Sequence, residues 1–228
     1  MLLMRSLFSL LLVYLSIGCS SQTNKMKEYN TPHYRARVAC FNTNPPPKGC
    51  VLYFGDSLTE GGTWQSYYPT VAVANRGISG DNTEGMLNRF DEITQAQPQA
   101  IYILAGINDI SQGISNQAIL ANFDQMIKRL QKETPTTRIY VESILPINND
   151  FGRYKRLIGK ENQVIILNKE LEKLSSENNV FFLNINPLFQ DEKGKLKSEL
   201  TPDGLHLNAQ GYSSWVEALN RILKETEN

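Results

Sequence analysis

Short, unbroken apolar runs recur along the chain, separated by longer stretches in which apolar residues return every three or four positions. The runs are Val51–Phe54, Val71–Ala74, Ile101–Ala105, Ile139–Ile144 and Val180–Leu183. None alternates with polar residues, which is the pattern of strands covered on both faces. The stretches between them fit helices. In residues 115–133, Ile119, Leu120, Phe123, Met126, Ile127 and Leu130 share a face, with Ser115 placed to cap. Residues 80–93 bring Met86, Leu87, Phe90 and Ile93 together behind Asp81 as the expected cap, and residues 163–178 and 208–225 behave alike. A shorter helix is expected to open at Thr31, with Pro32 in its first position, before Pro45, Pro46 and Pro47 break the chain. Alternation of strand and helix predicts an α/β domain with a parallel sheet and helices on both faces.

The N-terminus departs from this pattern. Leu7–Gly18 is an apolar run behind Arg5, the length of an export signal and short for a membrane span. It ends at Cys19, followed by a polar stretch without periodicity, and so resembles a bacterial lipoprotein signal cleaved before a lipid-bearing cysteine. An ordinary secretory signal is the alternative, since Ser16 stands where a leucine is usual. The expected organisation is a signal peptide over 1–18, a tether and helix over 19–47, and one domain over 48–228. The protein is then exported and lipid-anchored to a bacterial membrane, facing the periplasm or the cell surface. With Cys19 lipidated, Cys40 and Cys50 remain, either as a disulfide in an oxidising compartment or as two small hydrophobes. Lys plus Arg equals Asp plus Glu, at 23 each, and no basic run tracks a phosphate backbone, so no nucleic-acid partner is expected.

In an open parallel sheet, ligands sit beyond the carboxyl ends of the strands. The first run ends in Gly55-Asp56-Ser57, the second leads to Gly77-Ile78-Ser79-Gly80, the third to Gly106-Ile107-Asn108-Asp109, and Asp203-Gly204-Leu205-His206 precedes the last helix. Each could be a turn taken alone. Together they place a complete acyl-transfer apparatus on one sheet edge. A serine hydroxyl needs a base, and the chain has two histidines, of which His33 lies in the N-terminal appendage. Ser57 is therefore the expected nucleophile, His206 its base, and Asp203 the group that orients the imidazole. Gly77 could lend a backbone N–H and Asn108 its amide to an oxyanion. One usable histidine offers no metal-ligand spacing, and the loop after Ser57 lacks the Lys of a P-loop, so neither a metal nor another cofactor is expected.

These four blocks, in this order over roughly residues 48–225, resemble the GDSL or SGNH hydrolase family, and most closely its platelet-activating-factor acetylhydrolase-like and carbohydrate acetylesterase branch. The resemblance implies a flavodoxin-like, three-layer α/β/α fold on a five-stranded parallel sheet. It adds the backbone N–H of Ser57 to the oxyanion donors Gly77 and Asn108. It implies a serine esterase that removes short acyl groups, acetyl first, from carbohydrate hydroxyls through an acyl-enzyme on Ser57. The partners expected are a small-molecule or glycan ester and, through the lipid alone, a membrane.

Substrate contacts are less sharply marked. Asp56 and Trp64 are candidate substrate-binding residues, and Trp64, Tyr67 and Tyr68 are placed either to stack on a sugar or to pack a helix face. Arg76 and Arg89 are either contacts for an acidic substrate or solvated surface residues. No apolar insertion reads as a lid, although Phe151, Tyr154, Leu157 and Ile158 in the loop 146–162 could fold over the site. Two other readings stay open: a lysophospholipase or thioesterase for longer chains, and a non-catalytic carbohydrate-binding module.

Overall fold

The computed structural model describes residues 27–226; the apolar run 7–18, Cys19 and the first part of the expected tether lie outside the described residues. Helix α1 (Pro32–Thr43) opens as expected, with Thr31 Oγ1 accepting from Tyr34 N. The domain then runs through β1 (Val51–Gly55), α2 (Ser57–Glu60), α3 (Trp64–Tyr67), β2 (Val73–Gly77), α4 (Thr83–Asn88), α5 (Asp91–Gln95) and β3 (Ala100–Leu104). It continues with α6 (Ile107–Ser111), α7 (Asn116–Glu133), β4 (Arg138–Glu142), α8 (Glu161–Glu177), β5 (Phe181–Leu183) and α9 (Ala209–Thr226). All strand pairs are parallel, in the order β2-β1-β3-β4-β5. This is the flavodoxin-like order, and the direction of winding reverses between β1 and β3.

Successive side chains of each strand enter opposite layers. Leu52, Phe54, Ile101, Ile103, Ile139 and Val141 pack beneath α4, α5, α7 and α8, among Met86, Phe90, Phe123, Ile127 and Leu167. Tyr53, Tyr102 and Tyr140 face the other way, toward Trp64, Trp215 and Leu219. There the strand register sets Tyr53 beside Tyr102, Tyr102 beside Tyr140 and Tyr140 beside Phe181. The rings stack across four strands at centroid distances of 4.9, 4.7 and 5.1 Å. Trp64 caps this ladder, stacked on Tyr53 at 4.0 Å, with Nε1 donating to Thr59 O at 2.8 Å. Its burial is essentially complete, 1% exposed. Trp64 is therefore a core residue and no sugar platform, because α9 covers it with Trp215. Tyr67 and Tyr68 pack half-buried against the same core.

Local signals were overridden in three places. Strand β2 begins later than the apolar run and continues through Asn75 and Arg76. Partners make this possible: Asn75 Nδ2 donates to carbonyls of Thr59, Glu60 and Gly62, while Arg76 Nε reaches Glu92 at 3.2 Å. The single helix expected over 80–93 is two, broken at Arg89 and Phe90, and Asn82 rather than Asp81 caps the first by accepting from Gly85 N. Arg89 and Asp81 are instead a buried ion pair at 2.8 Å. Neither Arg76 nor Arg89 is a surface residue; both are buried, and both stack over Phe41 of α1. Cys40 and Cys50 are free thiols, the first exposed and the second buried.

One buried carboxyl makes stability depend on pH. Glu142 ends β4 at 1% exposure, and Trp215 Nε1 donates to its Oε2 at 2.6 Å. Burial raises it from an ordinary 4.5 to about 8, the Trp215 bond only partly opposing this. The folded state thus keeps a proton that the unfolded chain releases, so stability falls as pH rises from about 4.5 to about 8. Glu142→Gln keeps an acceptor for Trp215 and removes the titration. Urea denaturation is expected to show the wild type less stable at pH 8 than at pH 5, and the variant with a smaller difference.

Candidate active site

Strand β1 must end in glycine, because a Cβ on Gly55 would overlap Leu104 O of β3 and Thr59 of α2. Asp56 then caps α2, its Oδ1 accepting from Leu58 N at 2.9 Å. The chain turns at that cap and lifts Ser57, half-buried, onto the first position of the helix. Asp56 itself is 1% exposed and its carboxyl is pushed up to about 7 by burial. It is an internal cap, out of reach of a substrate, and not the substrate contact expected of it.

His206 Nε2 lies 2.9 Å from Ser57 Oγ, and Nδ1 lies 2.8 Å from Asp203 Oδ2. The turn between Asp203 and His206 is tied by its own backbone. Asp203 Oδ1 accepts from Leu205 N at 3.0 Å and His206 N at 2.8 Å, and Gly204 adopts φ +87° where a Cβ would overlap Asn148 O. Burial pushes the Asp203 carboxyl up, but hydrogen bonds from His206, Tyr154 and the two backbone amides outweigh it and hold it at about 2. Tyr154 is the member that sequence reasoning placed only in a covering loop. Its hydroxyl donates to Asp203 Oδ2 at 2.7 Å and lies 2.9 Å from His206 Nδ1.

The oxyanion donors correct one expectation. Asn108 stands on α6, after Gly106 at φ +117°, and one of its amide hydrogens is held by Asp81 O at 2.8 Å. The other has only Asp56 Oδ2 at the limit of hydrogen-bond range, 3.5 Å, and Asn108 lines the cleft. Gly77 N–H is not available, because it donates to Asn75 Oδ1 at 2.9 Å. That glycine is required by packing: a Cβ would overlap the backbone of Glu60. Gly80, three residues on at φ +80°, lines the cleft with Ser57 and Asn108, and its N–H has no partner among the described residues. Ser57 N–H, at the start of α2, is likewise unpartnered among them. Glu60 holds this loop in place, its Oε2 accepting from Ser79 N and Ser79 Oγ, each at 2.6 Å. His33 and Arg37 of α1 pair in turn with Glu60.

The cleft measures about 320 Å³. Leu157 and Leu205 supply its aliphatic lining, Ser79, Ser111 and Tyr154 its hydroxyls, and no Lys, Arg, Asp or Glu lines it. From the loop 146–162, Tyr154 and Leu157 reach the cleft while Phe151 and Ile158 stay exposed. A cleft of similar size, about 330 Å³, lies between α8 and the end of β5 and holds none of the candidate catalytic residues. Among the described residues no three His, Cys, Asp or Glu side chains gather as metal ligands.

A serine, a histidine and an aspartate joined by hydrogen bonds at the carboxyl edge of a parallel sheet, with amide donors opposite, define a serine acyl-transfer site. Residues 53–213 match the GDSL-like Lipase/Acylhydrolase family, and the chain belongs to it. It is a carboxylic ester hydrolase, which leaves the non-catalytic binding module without support. Among curated relatives, the human platelet-activating factor acetylhydrolase IB subunit alpha1 is 24% identical, over 76% of this chain and 74% of its own. The isoamyl acetate-hydrolyzing esterase of Saccharomyces cerevisiae is 24% identical, over 81% of this chain and 80% of its own. A GDSL-like lipase structure from Bacteroides thetaiotaomicron shares the fold at a TM-score of 0.73 and 21% identity, covering 88% of this chain and 100% of that one.

An oxyanion donor acts mainly on the transition state. Asn108→Ala is therefore expected to lower kcat by roughly 10²–10³-fold with KM little changed, measured on any ester the enzyme turns over. A change confined to KM identifies Asn108 as a substrate-binding residue instead.

Proposed function

We propose that this protein hydrolyses short-chain carboxylic esters, acetyl first, carried on an uncharged alcohol such as a sugar hydroxyl. The observation that carries the proposal is the cleft at Ser57, which is small, lined by two leucines and by hydroxyls, and free of charged side chains. Ser57 Oγ attacks the ester carbonyl as His206 Nε2 takes its proton. The tetrahedral oxyanion is held by the N–H groups of Ser57 and Gly80 and by the Asn108 amide. Collapse of that intermediate expels the alcohol, which takes the proton from His206 and leaves an acyl-enzyme on Ser57. Water, deprotonated by His206, then releases the acid. Asp203 holds the tautomer that permits both transfers.

The names of the two curated relatives, an acetylhydrolase and an acetate-hydrolysing esterase, support the acetyl reading. A neutral lining favours a neutral leaving group over a phosphate-bearing or sialic acid one. The export signal and Cys19 belong to the same proposal: a domain tethered by lipid outside the cytoplasm, acting on esters that reach the cell envelope.

One observation favours a second reading. Phe151 and Ile158, 41% and 59% exposed, flank the two residues by which their loop enters the cleft. A long acyl chain laid across them would give the lysophospholipase or thioesterase. Burying one CH₂ is worth about 0.8 kcal/mol, so a chain that is sheltered raises kcat/KM with each added carbon pair. On p-nitrophenyl acetate, butyrate and octanoate, kcat/KM is expected to be highest for acetate and negligible by octanoate. A rise toward octanoate replaces the acetylesterase with the long-chain enzyme.

A further inference from the structure

We infer that Tyr154 is a positioning residue of the triad, its hydroxyl sharing Asp203 Oδ2 with the imidazole and so limiting the hold of Asp203 on His206. The inference rests on the reading of Ser57, His206 and Asp203 as the catalytic triad. Tyr154 Oη, Asp203 Oδ2 and His206 Nδ1 form a closed triangle with edges of 2.7, 2.8 and 2.9 Å. Two protons are available within it, one on the phenol and one on the imidazole. The phenol is a donor throughout the working range, because burial first, and then the bond to Asp203 and that carboxylate's charge, raise it to about 12.

An ionised carboxylate accepts about four hydrogen bonds. Asp203 receives all four: Leu205 N and His206 N on Oδ1, and Tyr154 Oη and His206 Nδ1 on Oδ2. Oδ2 can take two protons only if Nδ1 carries one of them, which leaves Nε2 bare toward Ser57. In the reverse tautomer the Nδ1 lone pair would face the Asp203 charge at 2.8 Å, and the one phenol proton would be left to serve both acceptors. Sharing Oδ2 between two donors also weakens each bond. The imidazolium is then stabilised less than by an oxygen it had to itself.

The loop is built to deliver this hydroxyl. Asn148 N donates to Gly204 O at 2.8 Å, joining the loop to the turn between Asp203 and His206. Asn149 Nδ2 donates to Glu161 Oε1 at 2.6 Å and Leu157 O at 3.1 Å, and Leu157 is buried. The rings of Tyr154 and His206 meet edge-on at 5.7 Å. Although Tyr154 lines the cleft, its one hydroxyl proton is given to Asp203 and is not offered to substrate. The groups that face His206 are Asp203 from its own turn, Tyr154 from the loop and Ser57 from α2. Arg153 is the cation whose charge reaches the phenol, and Asp56 is the buried carboxyl beneath Ser57.

Tyr154→Phe keeps the ring and removes the proton. The chain has two histidines, so a His33→Gln background leaves a single imidazole Cε1–H resonance to titrate. In that background Tyr154→Phe is expected to move the pH dependence of that resonance to higher pH. The acidic limb of the kcat/KM profile moves with it, and kcat near pH 6 falls several-fold at unchanged KM. The titration needs no substrate. If the enzyme hydrolyses no ester, the functional reading fails, yet the resonance still decides the role of Tyr154. A His206 titration at the wild-type pH, or an effect on KM alone, overturns the inference.

Discussion

Leu104 O and Thr59 leave no room for a side chain at Gly55, so β1 can end only in glycine and the chain must turn there at once. The rest of the site is referred to that point. Gly55 O accepts from Ile78 N at 3.1 Å and from Arg89 Nη2 at 3.1 Å, which binds the loop after β2 to the end of β1. Arg89 reaches it by pairing with Asp81, whose own carbonyl anchors Asn108. Nucleophile, oxyanion loop and amide donor are thus held through one strand end. His206, 149 residues from Ser57, is brought to the same place because β1 and β3 flank the reversal of winding, where loops from both halves of the sheet converge.

Helix α1, which lies before the residues matched by the family, belongs physically to this assembly. His33 and Arg37 pair with Glu60, Glu60 holds Ser79, and Ser79 precedes the Gly80 amide. Phe41 stacks under Arg37, Arg76 and Arg89. Tyr34 donates to Gly85 O at 2.7 Å and packs with Tyr29 and Ile78. Buried arginines are tolerable because each meets a carboxylate or an aromatic face. Removing α1 would expose these charges and loosen the loop that presents the oxyanion donors.

The strands, most helices and the convergence of Ser57, Asp203 and His206 were legible because polar residues break apolar runs at the strand ends. What escaped the sequence is what depends on distant partners. Gly77 and Gly80 are equivalent glycines in one loop until Asn75 Oδ1 takes the Gly77 amide. Trp64, beside the nucleophile in sequence, resembles a sugar platform until α9 covers it with Trp215. Arg76 and Arg89 look solvated without Glu92 and Asp81 beneath them. The apolar spacing in residues 80–93 was sound, but Arg89 leaves the helical path to reach Gly55, and the helix divides. Tyr154 carries no local mark, since its contacts lie 49 and 52 residues away.

The central claim is that Ser57 is activated by His206 for covalent acyl transfer. A fluorophosphonate tests it without any assumption about the natural ester, because the reagent captures a serine only when a neighbouring base has made it nucleophilic. Peptide mass spectrometry after labelling is expected to find one adduct per chain, on Ser57. The adduct should vanish in Ser57→Ala and form far more slowly in His206→Ala. No adduct on the folded wild type, or labelling of Ser57 at an undiminished rate without His206, would contradict the account.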